Sequence, residues 1–445
     1  MSKVLQNRPW QRYEPSARCP WNLARAAHLW RRAGFGATWD QLQQSLKSGP
    51  QKTLDILLQP KADTAAFNRT CNSYTEAVGS AAALRAWWLR RMILTPHPLL
   101  EKMTLFWHDF FAVSAARGPS ASQMRKHLAA LRSGAMGQFG VLMGDVAGDA
   151  ATLVALGAKA NRKAKPDENF ARRLLARYTV GSGEYSEKDV RQTARAMTGW
   201  FVLRNRRRYF EREHDDGVKT VLGKTGRFNY ADVVKIAAEH PATARNIVRR
   251  LYRWFISEAQ EPGEDLLAPL VKSFSGDFDV ARLVGKMLRS NLFFSAGMIG
   301  RRIKRPVEFA IGIIRSLEAT PATTRLAADL AELGENLYYP PTLNGWTGGR
   351  YWINHATVIG RNNLAASLLG ASGPYDGRCD PAAVARRHGH TDARSAGRFL
   401  ASLLGGHDDE TFEKLWKDQP RGENLSNRLR QFAYTLVSQP EFQLA

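Results

Sequence analysis

The segment EKMTLFWHDFF, residues 101 to 111, places a histidine and an aspartate, His108 and Asp109, inside a run of aromatic and aliphatic residues. A histidine near a carboxylate can act as a general base near neutral pH. If the segment is helical, apolar side chains cover most of its circumference, which is typical of a buried helix. Burying a polar group without partners costs about 1 to 3 kcal/mol. The pair therefore needs a structural hydrogen-bond network or a functional role.

A second group of polar side chains occurs in KPDENFARRLLARY. On a helix, Glu168, Asn169 and Arg172 share one face while the apolar residues pack inward. We predict that this face meets His108 and Asp109, because two polar clusters on apolar helices are satisfied most economically by each other. The alternative is local, with an aspartate capping the helix and Arg172 pairing with Glu168.

A third group lies in EHDDGVKTVLG, which offers His214, Asp215, Asp216 and Lys219 in a predicted loop. Such a mixture could hold a metal ion or a phosphate, although a loop with these residues is also consistent with simple solvation. We include His214, Asp215 and Lys219 as candidate site residues and predict no metal ligand. The motifs identify no cofactor.

Several familiar motifs are excluded. Five residues separate Gly217 from the Gly-Lys-Thr triplet that begins at Gly223, where a phosphate-binding P-loop needs four. The pair His388 and His390 is interpreted as two polar side chains on the surface, not as metal ligands. The three cysteines are far apart and share no metal-ligand spacing, so they predict neither a zinc site nor a disulfide framework.

The charge is the strongest feature of the composition. The chain has 64 Lys plus Arg against 41 Asp plus Glu, a net charge of +23 at pH 7. The electrostatic field of such a net charge attracts polyanions. The alternative is a solvated basic surface without a binding role. Tryptophans in an irregular, proline- and glycine-rich loop offer surfaces for stacking. The candidate substrate contacts, besides Lys219, are Arg204, Arg206, Arg302, Arg305, Trp346, Arg350 and Trp352.

Helical signals dominate the chain and predict an all-α fold: a large, irregular multi-helix domain with at most one short β-hairpin. The best candidates for strands are YFERE and KTVLG. Ser186 predicts a capping box, Pro306 a first helical turn and Gly334 a helix end. We expect a main domain over residues 1 to 370, a connecting loop over 371 to 384, and a C-terminal helical portion over 385 to 445.

No segment has the length and apolarity of a membrane span. The first 30 residues contain no apolar core of a secretory signal, which favours a cytoplasmic protein. Export together with a partner that carries the signal is the alternative.

The order and spacing of several motifs resemble the bacterial family known as domain of unknown function 1800. These motifs are EKMTLFWHDFF, KPDENFARRLLARY, HDDGVKTVLGKTGRF, HPATARNIVRRLYRWF, KRPVEF and PPTLNGWTGGRYWIN. The resemblance covers nearly the whole chain. It favours export, and it implies a sulfatase-like protein as a candidate partner.

The chain departs from the family pattern at three positions. Phe110 stands where the resemblance implies a second histidine, and Arg173 and Ala176 stand where it implies acids. If those residues bind a metal or transfer protons in the family, this chain has lost part of that apparatus. It is then a divergent or inactive paralogue.

The first functional hypothesis is an envelope-related protein that handles an anionic polymer or its phosphorylated or sulfated building blocks. It is a hydrolase, a transferase or their inactive paralogue, and His108 and Asp109 are its acid/base pair. The alternative is a non-catalytic nucleic-acid-binding protein, or a scaffold subunit for the sulfatase-like partner. Under either hypothesis we expect weak polyanion binding without sequence preference, because no base-reading element is evident.

Overall fold

A computed structural model of the 445-residue chain describes residues 8–59, 64–76, 79–405, 409–419 and 424–445. The expectation that no secretory leader is present falls partly on residues 1–7, which lie outside these ranges. The prediction of an all-α fold is confirmed, with 21 α-helices in the described ranges. The helices of the first half are α1 Leu23–Ala33, α2 Trp39–Leu58, α3 Ala65–Glu76, α4 Ala81–Leu94, α5 Pro98–Phe111, α6 Ala121–Gly134, α7 Phe139–Ala147, α8 Ala150–Ala155, α9 Glu168–Arg173 and α10 Glu187–Ala196.

The second half of the chain is also helical, and α9 continues without a break into a π-helical turn, Leu174–Tyr178. The remaining helices are α11 Tyr230–Ala238, α12 Pro241–Phe255, α13 Glu264–Phe274, α14 Val280–Leu288, α15 Pro306–Ser316, α16 Thr323–Glu332, α17 His355–Leu369, α18 Pro381–Arg387, α19 Ala393–Leu400, α20 Asp409–Lys417 and α21 Leu425–Ser438.

The strands form two antiparallel hairpins instead of the single hairpin that the sequence predicted. The first joins β1 (Trp200–Leu203) to β2 (Arg206–Tyr209), and the second joins β3 (Lys219–Val221) to β4 (Lys224–Gly226). In each two-residue turn both residues have positive φ, the backbone that suits the twist of a hairpin. KTVLG supplies β3 as predicted, whereas YFERE holds the end of β2 and a 3-10 turn.

Predicted helix ends agree with the structure. Ser186 and Asp189 form the expected capping box, and Pro306 lies in the first turn of α15. Gly334 follows α16 with a φ of 89°, a conformation that glycine adopts at helix ends without strain. These helix ends could be predicted from the sequence because each depends on residues that are close in the sequence.

Helix α5 lies in the centre of the core. Trp107 is completely buried and its indole Nε1 donates to the backbone carbonyl of Ala135 at 2.9 Å. The π turn packs against the end of α5, where the Tyr178 hydroxyl donates to the carbonyl of Phe111 at 2.9 Å. The aromatic rings of Trp107 and Phe139 stack with centroids 5.8 Å apart. The apolar run around His108 is therefore a core helix, as the sequence predicted.

Two buried carboxylates neutralise cations on and around α5. Glu101 accepts from Arg91 Nε at 2.6 Å and from Arg132 Nε at 2.8 Å. Burial alone would raise the pKa of Glu101, but the two guanidinium groups hold it below its ordinary value. Glu308, at the start of α15, pairs with Lys102 and Arg302. The Lys102–Glu308 pair joins the start of α5 to the start of α15, and the pairs of Glu101 join α5 to α4 and α6.

The C-terminal helices pack on the preceding ones. Helix α21 contacts α17 and α18. Arg430 of α21 donates to the carbonyl of Leu369 at the end of α17 and to those of Gly377 and Cys379 in the connecting segment. The proposed division at residues 370 and 385 stays a prediction. Among the described residues, no helix has both the length and the apolarity needed to cross a bilayer.

Candidate functional site

An open cleft of about 650 Å³ lies where the end of α5, the outer face of α12, residues 302–305 and the loop 342–352 meet. Its wall carries six arginines against three carboxylates, an excess of three positive charges. The charged lining residues are Arg177, Arg249, Arg250, Arg253, Arg302, Arg305, Asp109, Glu258 and Glu261. Aromatic rings make up much of the remaining wall. We call this the arginine cleft.

Asp109 is held at the floor of the arginine cleft by two partners that are distant in sequence. Its Oδ2 accepts from Arg305 Nη1 at 2.8 Å, and its Oδ1 accepts from the backbone N–H of Trp346 at 2.9 Å. Arg305 Nε also donates to Glu335 at 2.6 Å. Burial would lower the pKa of Arg305, but the carboxylates of Glu335 and Asp109 outweigh it and raise the pKa. Arg305 is therefore a fixed cation.

Three tryptophan rings surround the guanidinium of Arg305. Its Cζ lies 5.2 Å from the ring centroid of Trp254, 5.4 Å from Trp346 and 5.3 Å from Trp352. Cation–π contacts of this kind are worth more when water is excluded. Arg305 Nη2 is buried and has no hydrogen-bond acceptor among the described residues. The three tryptophan rings hold the guanidinium of Arg305 in place and leave little of its surface exposed to solvent.

Two further arginines flank the ring of Phe110. Arg250 Cζ lies 5.1 Å and Arg177 Cζ 5.7 Å from its centroid. Burial, helped by the neighbouring Arg177, lowers the pKa of Arg250 to about 9, and burial also lowers the pKa of Arg177. Arg250 binds Asn246 and Arg177 binds the carbonyl of Asn344. Neither has a carboxylate within ion-pair distance in the described part of the chain.

His108 lies behind the arginine cleft and does not line it. The ring is 0% exposed, and its Nε2 accepts from the backbone N–H of Tyr338 at 3.1 Å. Burial, with smaller contributions from His127 and Arg305, lowers the pKa of His108 to about 3. The imidazole is therefore neutral at physiological pH and enclosed by Trp88, Tyr338 and Trp346.

The predicted meeting of the first two polar clusters is wrong. Helix α9 turns its apolar face toward the core, so Glu168 and Asn169 are exposed and Arg172 pairs with Glu187 at 2.7 Å. Neither His108 nor Asp109 bonds to any of these three residues. The local alternative is correct in part, since an aspartate caps α9, but the partner of Arg172 is not Glu168.

The loop with His214, Asp215 and Lys219 lies apart from the arginine cleft and is closed by its own contacts. Asp215 pairs with Arg195 at 2.7 Å, and His214 Nδ1 lies 3.1 Å from the carbonyl oxygen of Thr198. Lys219 is buried and donates to two carbonyls of the loop. Within the described ranges, no group of three His, Cys, Asp or Glu residues could hold a metal ion. The three side chains make their contacts within the loop or to Arg195 and Thr198 next to it.

The structure brings together half of the predicted substrate contacts. Arg302, Arg305, Trp346 and Trp352 line the arginine cleft. Arg204 and Arg206 lie on the first hairpin and Arg350 is exposed outside the lining. The sequence interpretation missed the cleft arginines of the π turn and of α12. The basic run at residues 249 to 253 could have identified Arg249, Arg250 and Arg253 as candidate site residues.

Acidification should destabilise the protein through His108. The folded state keeps this imidazole neutral down to a pKa of about 3, whereas the unfolded chain takes up the proton near pH 6.5. Protons therefore favour the unfolded state, and stability falls as the pH drops below about 6.5. From about pH 7.5 to pH 5 the loss is about 2 kcal/mol for one such histidine.

Urea unfolding of the wild type and of His108→Gln at several pH values measures this effect. His108→Gln should be less stable than the wild type at neutral pH, but its free energy of unfolding should depend less on pH. His355→Gln changes an exposed histidine, and its free energy of unfolding should depend on pH as in the wild type. If the free energy of unfolding of His108→Gln depended on pH as strongly as that of the wild type, His108 would not be the cause of the acid destabilisation.

Comparisons with known proteins agree with the motif resemblance. No curated protein and no solved structure matches the chain. The family model described as "Protein of unknown function (DUF1800)" matches residues 28–444, which include every segment of the arginine cleft. The chain therefore belongs to the DUF1800 family.

Proposed function

We propose that the arginine cleft binds the phosphate or sulfate group of a building block of an anionic polymer. The observation that carries the proposal is the pair Arg177 and Arg250, which flank Phe110 without a carboxylate partner in the described chain. An anion between them would offset two partly buried positive charges. Guanidinium groups bind phosphate and sulfate oxygens with strong, charge-assisted hydrogen bonds.

The rest of the cleft is suited to the remainder of such a ligand. Trp346 and Trp352 present aromatic surface next to the fixed guanidinium of Arg305, and aromatic faces pack against the flat sides of sugar or base rings. Asn246, Thr342 and Thr347 add neutral hydrogen-bonding groups to the wall. This combination of a few polar groups with apolar walls is common in small-ligand sites.

The proposal is for binding and not for turnover. The candidate general base His108 does not line the cleft, and Asp109 already accepts from Arg305 and from the backbone N–H of Trp346. A general base must lie within hydrogen-bond reach of the proton that it removes. Phe110 occupies the position at which the family resemblance implies a second histidine, which fits a protein that keeps the pocket without the reaction.

Titration calorimetry with inorganic sulfate, inorganic phosphate, glucosamine 6-sulfate and uncharged glucosamine tests the proposal. We expect the sulfated sugar to bind best and the uncharged sugar to bind at least tenfold more weakly, since one charge-assisted bond is worth about 1.5 to 3 kcal/mol. Arg250→Gln and Arg177→Gln should each lower affinity about tenfold or more.

Arg172→Gln is the matched control, because Arg172 lies about one turn before Arg177 but is half-exposed and paired with Glu187. It should bind like the wild type. Equal loss in Arg172→Gln and Arg250→Gln would show that the general basic field, not the cleft, attracts the anion.

A further inference from the structure

The β1–β2 hairpin carries a second basic surface, separate from the arginine cleft. Leu203 is paired with Arg206, and Phe201 with Arg208. Paired residues of an antiparallel ribbon point to the same side, so Leu203, Arg206 and Arg208 share one face. Phe210 follows β2, and its ring meets Phe201 edge-on at 5.1 Å, which places it on that face as well.

This face combines exposed apolar groups with unpaired cations. Leu203 is 47% and Phe210 is 44% exposed. Arg204 lies in the turn, and no carboxylate pairs with Arg204, Arg206 or Arg208 in the described ranges. We call the set Leu203, Arg204, Arg206, Arg208 and Phe210 the hairpin face.

The position of β2 explains the charges but not the apolar groups. The segment before α9 covers the other edge of β1, where Ala160 bridges to Phe201 and Lys159 accepts from Val202. Strand β2 is therefore the outer strand, and charged side chains on such a strand prevent pairing with other chains. That requirement gives no reason for exposing a leucine and a phenylalanine between the arginines.

We propose that the hairpin face docks onto the surface of a bilayer that contains anionic lipids. Arginines attract acidic headgroups, while leucine and phenylalanine gain free energy by entering the boundary between headgroups and acyl chains. A nucleic acid fits less well, because an aliphatic leucine cannot stack on bases as an aromatic ring does. The inference does not depend on the function proposed for the cleft.

Flotation of the full chain with vesicles tests this inference. We expect binding to vesicles of phosphatidylcholine with phosphatidylglycerol and much weaker binding to phosphatidylcholine alone. Arg206→Gln with Arg208→Gln should lower the partition coefficient about fivefold per arginine and flatten its salt dependence. Leu203→Ser with Phe210→Ser should lower it about tenfold and keep the salt dependence.

Matched controls change similar residues elsewhere. Ile359→Ser replaces an apolar side chain that is 62% exposed on α17, and Lys47→Gln with Lys52→Gln removes two exposed cations of α2. Both should bind vesicles like the wild type. Circular dichroism checks folding, and Leu203→Ser alone replaces the double variant if that one does not fold.

Two results would overturn the proposal. The first is no binding to anionic vesicles. The second is loss of binding with the arginine variants but none with the leucine and phenylalanine variants, together with binding of a single-stranded oligonucleotide, which would make the hairpin face a nucleic-acid surface.

Discussion

Replacing Glu308 with alanine lowers the free energy of unfolding by about 3 to 5 kcal/mol, because breaking a buried ion pair leaves an uncompensated charge. Glu308 is buried and accepts from Lys102 and Arg302, and its second oxygen accepts from the backbone N–H of Arg305 at 3.0 Å. Lys102 keeps only carbonyl acceptors such as Gly34 at 2.8 Å. Arg302 is then a buried cation without its carboxylate, and Lys102, whose pKa burial already lowers to about 7, gives up its proton.

Urea unfolding monitored by circular dichroism measures this loss. Glu308→Gln should fall between the wild type and Glu308→Ala, because an amide keeps hydrogen bonding but loses the charge. Glu187→Ala removes an exposed carboxylate that also pairs with an arginine, and it should change stability little. If Glu308→Ala and Glu187→Ala unfolded at the same urea concentration, the buried ion pairs of Glu308 would contribute nothing to the stability of the fold.

Much of the positive charge has a structural role, which composition alone could not show. Arg32 donates to the carbonyls of Phe255 and Ile256, Arg315 donates to Ile93, and Arg361 donates to Lys304. Burial lowers the pKa of Arg32 to about 9 and that of Arg315 to about 10. A net charge of +23 therefore overstates the surface that is open to a polyanion, and the arginine cleft and hairpin face contain only part of it.

Helices and their ends were predictable because their signals are local. The capping box at Ser186 and the proline at the start of α15 depend on residues within one turn. The same holds for the buried character of α5, which follows from apolar residues on nearly every side. The sequence also identified Arg302 and Arg305 as candidates, although as surface cations and not as buried ones.

The site itself was harder to predict because its contacts are long-range. The partners of Asp109 lie 196 and 237 positions away, at Arg305 and Trp346. Glu168, Asn169 and Arg172 share one helical face as predicted, but that face turns away from the core, and Arg172 pairs with Glu187. The helix changes to a π turn at Leu174, which changes the direction of every later side chain, and Arg177 of this turn reaches the cleft.

Replacing Gly345 with alanine should destabilise the protein by about 3 kcal/mol or more and disrupt the arginine cleft. Gly345 has a φ of 76°, and a Cβ there would lie 2.1 Å from Asp109 Oδ1 and 2.5 Å from its backbone oxygen. The left-handed backbone costs about 1 to 2 kcal/mol for alanine, and forced backbone shifts add about 1 to 3 kcal/mol. The loop must move away from α5, and the bond from Trp346 N–H to Asp109 is lost.

Gly157→Ala separates the two contributions. Gly157 has nearly the same φ, 78°, but a Cβ there meets nothing within 4 Å, so only the backbone strain remains. Urea unfolding should show a loss of about 1 to 2 kcal/mol for Gly157→Ala and a larger loss for Gly345→Ala. Sulfate titration should show wild-type affinity in Gly157→Ala and at least a tenfold weakening in Gly345→Ala, because the loop that carries Trp346 and Trp352 is displaced. Equal stability of the two variants would mean that the loop moves aside without cost and that its contact with Asp109 does not shape the cleft.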